Sequence, residues 1–211
     1  MRALATALIV LGTAAASGLY DVSADFSIAA NPTLSGGWSY GWEDRLDGPL
    51  QLYTRHFDTL YWGARVTGWS INGEGPENGD RCCPFVARNA SSRPIVAHTA
   101  VIPSAQFWFH PGPHGEYSVV RWNSPGAGRY RLTVRFDGFG VATSDVHIIK
   151  NNVVLGEEEL GENGSSHDFF FESLELVSRD HLDFAVGYGA NHNYYADITG
   201  LTVTIRDVSS K

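Results

Sequence analysis

The residues best equipped for chemistry fall between Gly187 and Gly200, where Asn191, His192, Asn193, Tyr194, Tyr195 and Asp197 stand almost side by side. Amides and carboxylates hold hydroxyl groups through directed hydrogen bonds, and a phenol adds an aromatic face. Such a set suits a polar ligand with apolar patches. It offers no nucleophile activated by an adjacent base, so it does not dictate bond breaking. The plain alternative is that Asn-rich segments simply turn the chain. A second aromatic group, Trp38, Tyr40, Trp42, Trp62 and Trp69, occupies Gly-rich sequence that reads as two loops, Trp38 to Asp47 and Trp62 to Asp80. Buried packing competes with ligand stacking for each of these rings. The expected binding set is Trp38, Tyr40, Trp42, Trp69, Asn191, His192, Asn193, Tyr194 and Tyr195, whereas Trp108 and Trp122 read as core.

Other reactive types are less persuasive. His110, His114 and Glu116 are separated by Pro111, Gly112 and Pro113, which prevent a helix from aligning the two imidazoles, so a surface turn is the simpler reading than a metal site. Glu157, Glu158 and Glu159 are contiguous and read as a solvated acidic face. No Ser/His/Asp motif or phosphate loop occurs, and catalysis is not expected. Cys82 and Cys83 are adjacent and cannot close a long stabilising loop. A vicinal bridge, two thiols or intermolecular pairing all fit them. A redox or metal role is disfavoured, because neither C-x-x-C spacing nor a neighbouring His is present in the sequence. The sequons at Asn89 and Asn163 accept glycans only where that machinery exists.

The elements that must position these groups are strands. Tyr130, Leu132, Val134 and Phe136 alternate with Arg129, Arg131, Thr133 and Arg135, which puts one face inward and one in water. Similar short segments cover 94–102, 106–110, 116–122, 145–155, 169–177, 182–188 and 201–207, with Asn151 and Asn152 suited to a positive-φ hairpin turn. No stretch sustains helical periodicity. Strands that each bury one face predict an all-β fold: a two-sheet antiparallel β-sandwich with jelly-roll topology, with a closed barrel as the runner-up. No linker or repeat divides the chain, so one domain is expected over 25–208.

Met1 to Ala16 joins a basic start to an apolar run and small residues, as a secretory signal peptide does, with cleavage as late as residue 24. A secreted, extracellular protein is therefore expected, without a membrane span. Removing those residues loses Arg2 and no acid. The formal charge goes from −8 to −9, which argues against nucleic acid as a partner.

The stretches from Phe109 to Trp122 and from Ser144 to Asn152 resemble a family of exported bacterial β-sandwich domains, often found with a C-terminal PEP-CTERM sorting anchor. These domains are in turn similar to galactose-binding-like carbohydrate-binding modules. Asn31-Pro32 before Trp38 to Gly41, the segment Asp183 to Gly187, and the closing Asp197 to Leu201 carry the same resemblance. It implies a jelly roll that recognises an extracellular or cell-surface glycan or polysaccharide without cleaving it. It also implies a structural calcium at Asp197, completed by backbone carbonyls and by Glu43 or Asp44. The chain ends at Lys211 with no apolar span and basic tail, so no anchor is expected. Two other readings stand beside the glycan binder: a structural or adhesive protein that self-associates through strand edges or the Cys pair, and a polysaccharide-active enzyme using His110, His114 and Glu116.

Overall fold

The computed structural model describes residues 18–34, 37–161 and 164–209; the segment read as a signal peptide (1–16) and Asn163 lie outside the described residues. The chain folds as an all-β sandwich of two antiparallel sheets with jelly-roll topology. In chain order the strands are β1 (Leu19–Asp21), β2 (Trp38–Glu43), β3 (Gln51–Leu52), β4 (Arg55–Tyr61), β5 (Ala64–Ser70), β6 (Phe85–Asn89), β7 (Ile95–Ala97) and β8 (Ala100–Ile102). They continue as β9 (Phe107–His110), β10 (Tyr117–Asn123), β11 (Gly128–Gly138), β12 (Asp145–Lys150), β13 (Val153–Glu159), β14 (Ser166–Leu176), β15 (His181–Val186) and β16 (Thr199–Asp207). The larger sheet runs β14-β11-β16-β9-β6-β5-β4, with β1 added beside β16; the smaller runs β13-β12-β15-β10-β2-β3; β7 and β8 form a separate hairpin.

Alternation explains the main core. Tyr130, Leu132, Val134 and Phe136 of β11 point inward beside Leu201, Val203 and Ile205 of β16, and meet Val120, Trp122, Val146, Ile148, Leu182 and Phe184 from the opposite sheet. Burying a Phe or Leu side chain stabilises the fold by about 1.5–3 kcal/mol each, and this dry layer holds the sheets together without a cross-linking disulfide among the described residues. The hairpin between β12 and β13 turns at Asn151 and Asn152, both at positive φ, as their sequence predicts.

The larger sheet is covered on both faces over its second half. Val86, Phe107 and Phe109 face the opposite sheet, while Phe85, Ala87 and Trp108, one residue out of phase, face outward with Phe57 and Val66. That outer layer is roofed by the β7–β8 hairpin, by the 3-10 segment Pro76–Cys82, and by Phe139 and Ile198. The run Phe107-Trp108-Phe109 is apolar at every position, the pattern of a strand buried on both sides.

Two expectations change here. The segments read as loops at Trp38 to Asp47 and Trp62 to Asp80 contain strands β2 and β5, so Trp38, Tyr40 and Trp69 are core residues of regular structure. The domain also begins before residue 25: β1 pairs with β16, and Val22, fully buried, donates its N–H to the Val203 carbonyl at 3.2 Å.

Candidate functional site: an aromatic cleft on the outer sheet face

A cleft of about 220 Å³ opens where the outer layer is incompletely roofed. Phe85 of β6 and Trp108 and His110 of β9 supply its floor, because these positions share the outward phase of adjacent paired strands. Tyr61, Cys82 and Cys83 line it from one side, the hairpin residues Ala97, His98 and Ala100 from another, and Tyr194, Tyr195 and Ile198 from a third. The floor is tightly packed. Phe85 meets Trp108 edge-on at 4.9 Å and stacks on the His110 ring at 5.6 Å, while Tyr61 stacks on Trp108 at 6.2 Å. The Trp108 Nε1–H is buried and has no hydrogen-bond partner among the described residues. The Trp122 Nε1–H in the main core is unpartnered in the same way, so this orphan does not by itself mark a ligand position.

Tyr194 and Tyr195 reach this cleft because the loop before β16 is internally braced. Asn191 Oδ1 accepts the Asn193 N–H at 2.9 Å and Asn193 Oδ1 accepts the Tyr195 N–H at 3.2 Å, two successive Asx turns. Asn191 Nδ2 donates to Thr143 Oγ1 at 2.8 Å, and Asp197 Oδ1 accepts from the Thr143 N–H at 2.7 Å and from Thr143 Oγ1 at 3.1 Å. His192, at positive φ, packs edge-on against Tyr188 at 5.2 Å. Asn191, His192 and Asn193 thus shape the loop, whereas the tyrosine rings, 4.6 Å apart, present its aromatic surface. Tyr195 is 61% exposed, and Tyr194 sets its ring edge-on to His110 at 6.1 Å. Trp62, 55% exposed in the β4–β5 turn, abuts His98 at 5.0 Å and extends the rim beyond the cleft.

The predicted set therefore divides. Tyr194 and Tyr195 line the cleft. Trp38, Tyr40 and Trp69 are sealed in the core, and Trp42 is partly buried against it, because the alternation of β2 turns Trp38, Tyr40 and Trp42 toward the opposite sheet. Asp197 is wholly buried and serves as the anchor for Thr143; its Oδ2 has no hydrogen-bond partner among the described residues, and burial pushes its carboxyl up to about 6. Among the described residues no three His, Cys, Asp or Glu side chains gather into a metal-holding group. Glu43 lies on the smaller sheet, where its carboxyl stands 3.9 Å from Arg121.

The His110, His114 and Glu116 trio does not assemble as a metal cluster. His110 is buried beneath the cleft, and Glu116 Oε2 accepts the backbone N–H of His114 at 2.8 Å, closing the turn. His110 instead meets Cys83, a neighbour invisible in the sequence because 26 positions separate them while β6 and β9 pair. The cleft residues that sequence reasoning missed, Tyr61, Phe85 and His98, had one signal: an uninterrupted apolar strand needs cover on both faces, and Trp108, read as core, is fully buried there.

No protein-family model matches the chain, and no curated protein matches it. Among solved structures, a family 35 carbohydrate-binding module from Clostridium thermocellum is 13% identical, with a TM-score of 0.30, covering 56% of this chain and 78% of that one. A PA14 sugar-binding domain from an RTX adhesin is 14% identical with a TM-score of 0.29; the match spans 44% of this chain and 46%, under half, of the adhesin domain. A β-(1,4)-mannanase from Podospora anserina is 8% identical with a TM-score of 0.32, over 82% of this chain and 28% of the mannanase. Likenesses this distant leave the ligand to be argued from the cleft itself.

Proposed function

We propose that the protein is a secreted, non-catalytic glycan-binding module that takes a single sugar ring into the cleft over Trp108. The observation that carries this reading is the composition of the site: a ring-lined floor walled by His98 and the phenols of Tyr61, Tyr194 and Tyr195. Aromatic faces pack on the apolar C–H patches of a sugar, and the phenols and imidazole hold its hydroxyls. Size fits the same occupant. At about 220 Å³ the cleft is smaller than the ~300–1,000 Å³ that holds a drug-sized ligand, which favours one terminal residue over the middle of a chain. Trp62 and Tyr195 on the rim would then touch the next unit. The cleft also lacks the pair of carboxylates that glycosidic cleavage uses: no Asp or Glu lines it among the described residues.

Isothermal titration against mono- and oligosaccharides tests this. Tyr195→Ala, at a surface ring, should weaken the best-bound saccharide about tenfold, a loss of ~1.4 kcal/mol, with the thermal midpoint unchanged. Trp62→Ala should weaken oligosaccharides and spare monosaccharides. Failure of any saccharide to bind the unmodified protein, or binding indifferent to Tyr195, contradicts the assignment.

A further inference from the structure

The wall of the cleft contains a feature that ligand stacking does not use. Cys82 and Cys83 are not joined as a disulfide, and their sulfurs lie 3.6 Å apart. Cys82 is buried and donates its S–H to the Gly79 carbonyl at 3.0 Å, while Cys83 is only half-buried; both line the cleft. His110 donates Nδ1–H to the Pro111 carbonyl at 2.9 Å, since a carbonyl can only accept, and this leaves Nε2 for its hydrogen bond with Cys83. The arrangement has three parts that thiol chemistry needs: an accessible sulfur, an imidazole to hold its proton, and a second sulfur within reach.

We propose that Cys82, Cys83 and His110 form a redox-active dithiol, with Cys83 as the attacking sulfur, Cys82 as the resolving sulfur, and a low-molecular-weight disulfide as the oxidant. The Cys83 thiolate attacks one sulfur of the disulfide RSSR, forming a Cys83–SR bond and expelling RS⁻, which leaves as RSH with the proton held by His110. Cys82 then gives its proton to the freed imidazole and attacks the Cys83 sulfur. The second RS⁻ departs as RSH with that proton. Two thiols have become one vicinal disulfide, and RSSR has been reduced to two RSH.

Electrostatics supports these roles. Burial opposes a charge on His110, but Cys83, the Pro111 carbonyl and Asp197 outweigh it and raise the imidazole to about 9, so it stays protonated beside the sulfur at neutral pH. The hydrogen bond to Cys83 and burial push the Cys82 thiol far up, which keeps it protonated until the mixed disulfide forms. The other titratable groups that act here are Glu77 and the phenols of Tyr53 and Tyr61 toward the cysteines, and Asp197 toward His110. Adjacent residues hold their Cα atoms about 3.8 Å apart, closer than the ~4.4–6.8 Å usual across a disulfide. Such a bridge is strained and easily reduced, which makes the pair a reversible couple rather than a staple.

This proposal does not depend on sugar binding, and its test reads mass alone. Reduced protein treated with glutathione disulfide should lose the mass of two hydrogens and retain no glutathione. Cys82→Ser should stop as a single glutathione adduct on Cys83, and Cys83→Ser should form any adduct at least about tenfold more slowly. In the Cys82→Ser background, His110→Gln should slow adduct formation at neutral pH and recover at alkaline pH, a profile that loss of packing alone would not produce. Stable glutathione on the native protein, covalent dimers in its place, or wild-type reactivity in Cys83→Ser overturns the proposal; if His110→Gln does not fold, the two cysteine variants decide it.

Discussion

At the scale of single residues, the groups that matter are those whose environment differs from their type. Glu43 is 2% exposed; burial and the Asp183 charge outweigh Arg121 and push its carboxyl up to about 7. A carboxyl whose folded pKa exceeds its unfolded one favours folding in the neutral form. Its penalty is therefore absent below the unfolded pKa near 4.5, grows as pH rises, and is complete above about 7. Glu43→Gln, which cannot ionise, should stabilise the protein by about 1–3 kcal/mol near pH 8 and leave it unchanged near pH 4, read by urea denaturation. Equal effects at both pH values would show that Glu43 titrates normally. Tyr194 and Tyr195, which line the cleft, were legible as candidates because polar, turn-rich sequence surrounds them. The Asn side chains beside them were legible only as polar, since whether an amide meets a ligand or its own backbone is decided by turn geometry.

Among the elements, β2 and β5 carry the main lesson. Gly41 and Gly68 made them read as irregular, yet each glycine sits in a regular strand where something passes close over it. A Cβ at Gly68 would stand 2.2 Å from the Phe57 ring and 2.3 Å from the Val86 carbonyl oxygen. Gly68→Ala should therefore destabilise the protein by about 1–3 kcal/mol in denaturant unfolding, through strain in the outer layer. Gly126→Ala, where a Cβ would meet nothing within 4 Å, is the control and should change stability by less than ~0.5 kcal/mol. Similar effects from the two would remove close approach as the reason for Gly68. The period-two pattern of Trp38, Tyr40 and Trp42 was present all along, but aromatic residues spaced by Ser39 and Gly41 equally suit a binding loop. Strands β11 and β16 were plain because the polar partners of their apolar residues are Arg or Thr, which makes alternation unambiguous.

In the whole molecule, two sheets close one core, and a second apolar layer forms outside the larger sheet under a roof of irregular segments. The sandwich follows from alternation alone. The outer layer does not, because its parts come from Phe57, Cys82, Ile95, Trp108, Phe139 and Ile198, and only strand pairing brings them together. The cleft is where that roof is unfinished, and its six-Trp protein supplies its own reporters. The decisive measurement is the indole N–H spectrum of ¹⁵N-labelled protein during titration with the best-bound saccharide. The Trp108 indole, in the floor of the cleft, should shift as the sugar settles above it, while Trp38, whose Nε1 donates to Asp25 at 3.0 Å in the main core, stays fixed. Saturation of binding with Trp108 unmoved, or with shifts confined to Trp42 on the smaller sheet, would place the ligand elsewhere and contradict the account.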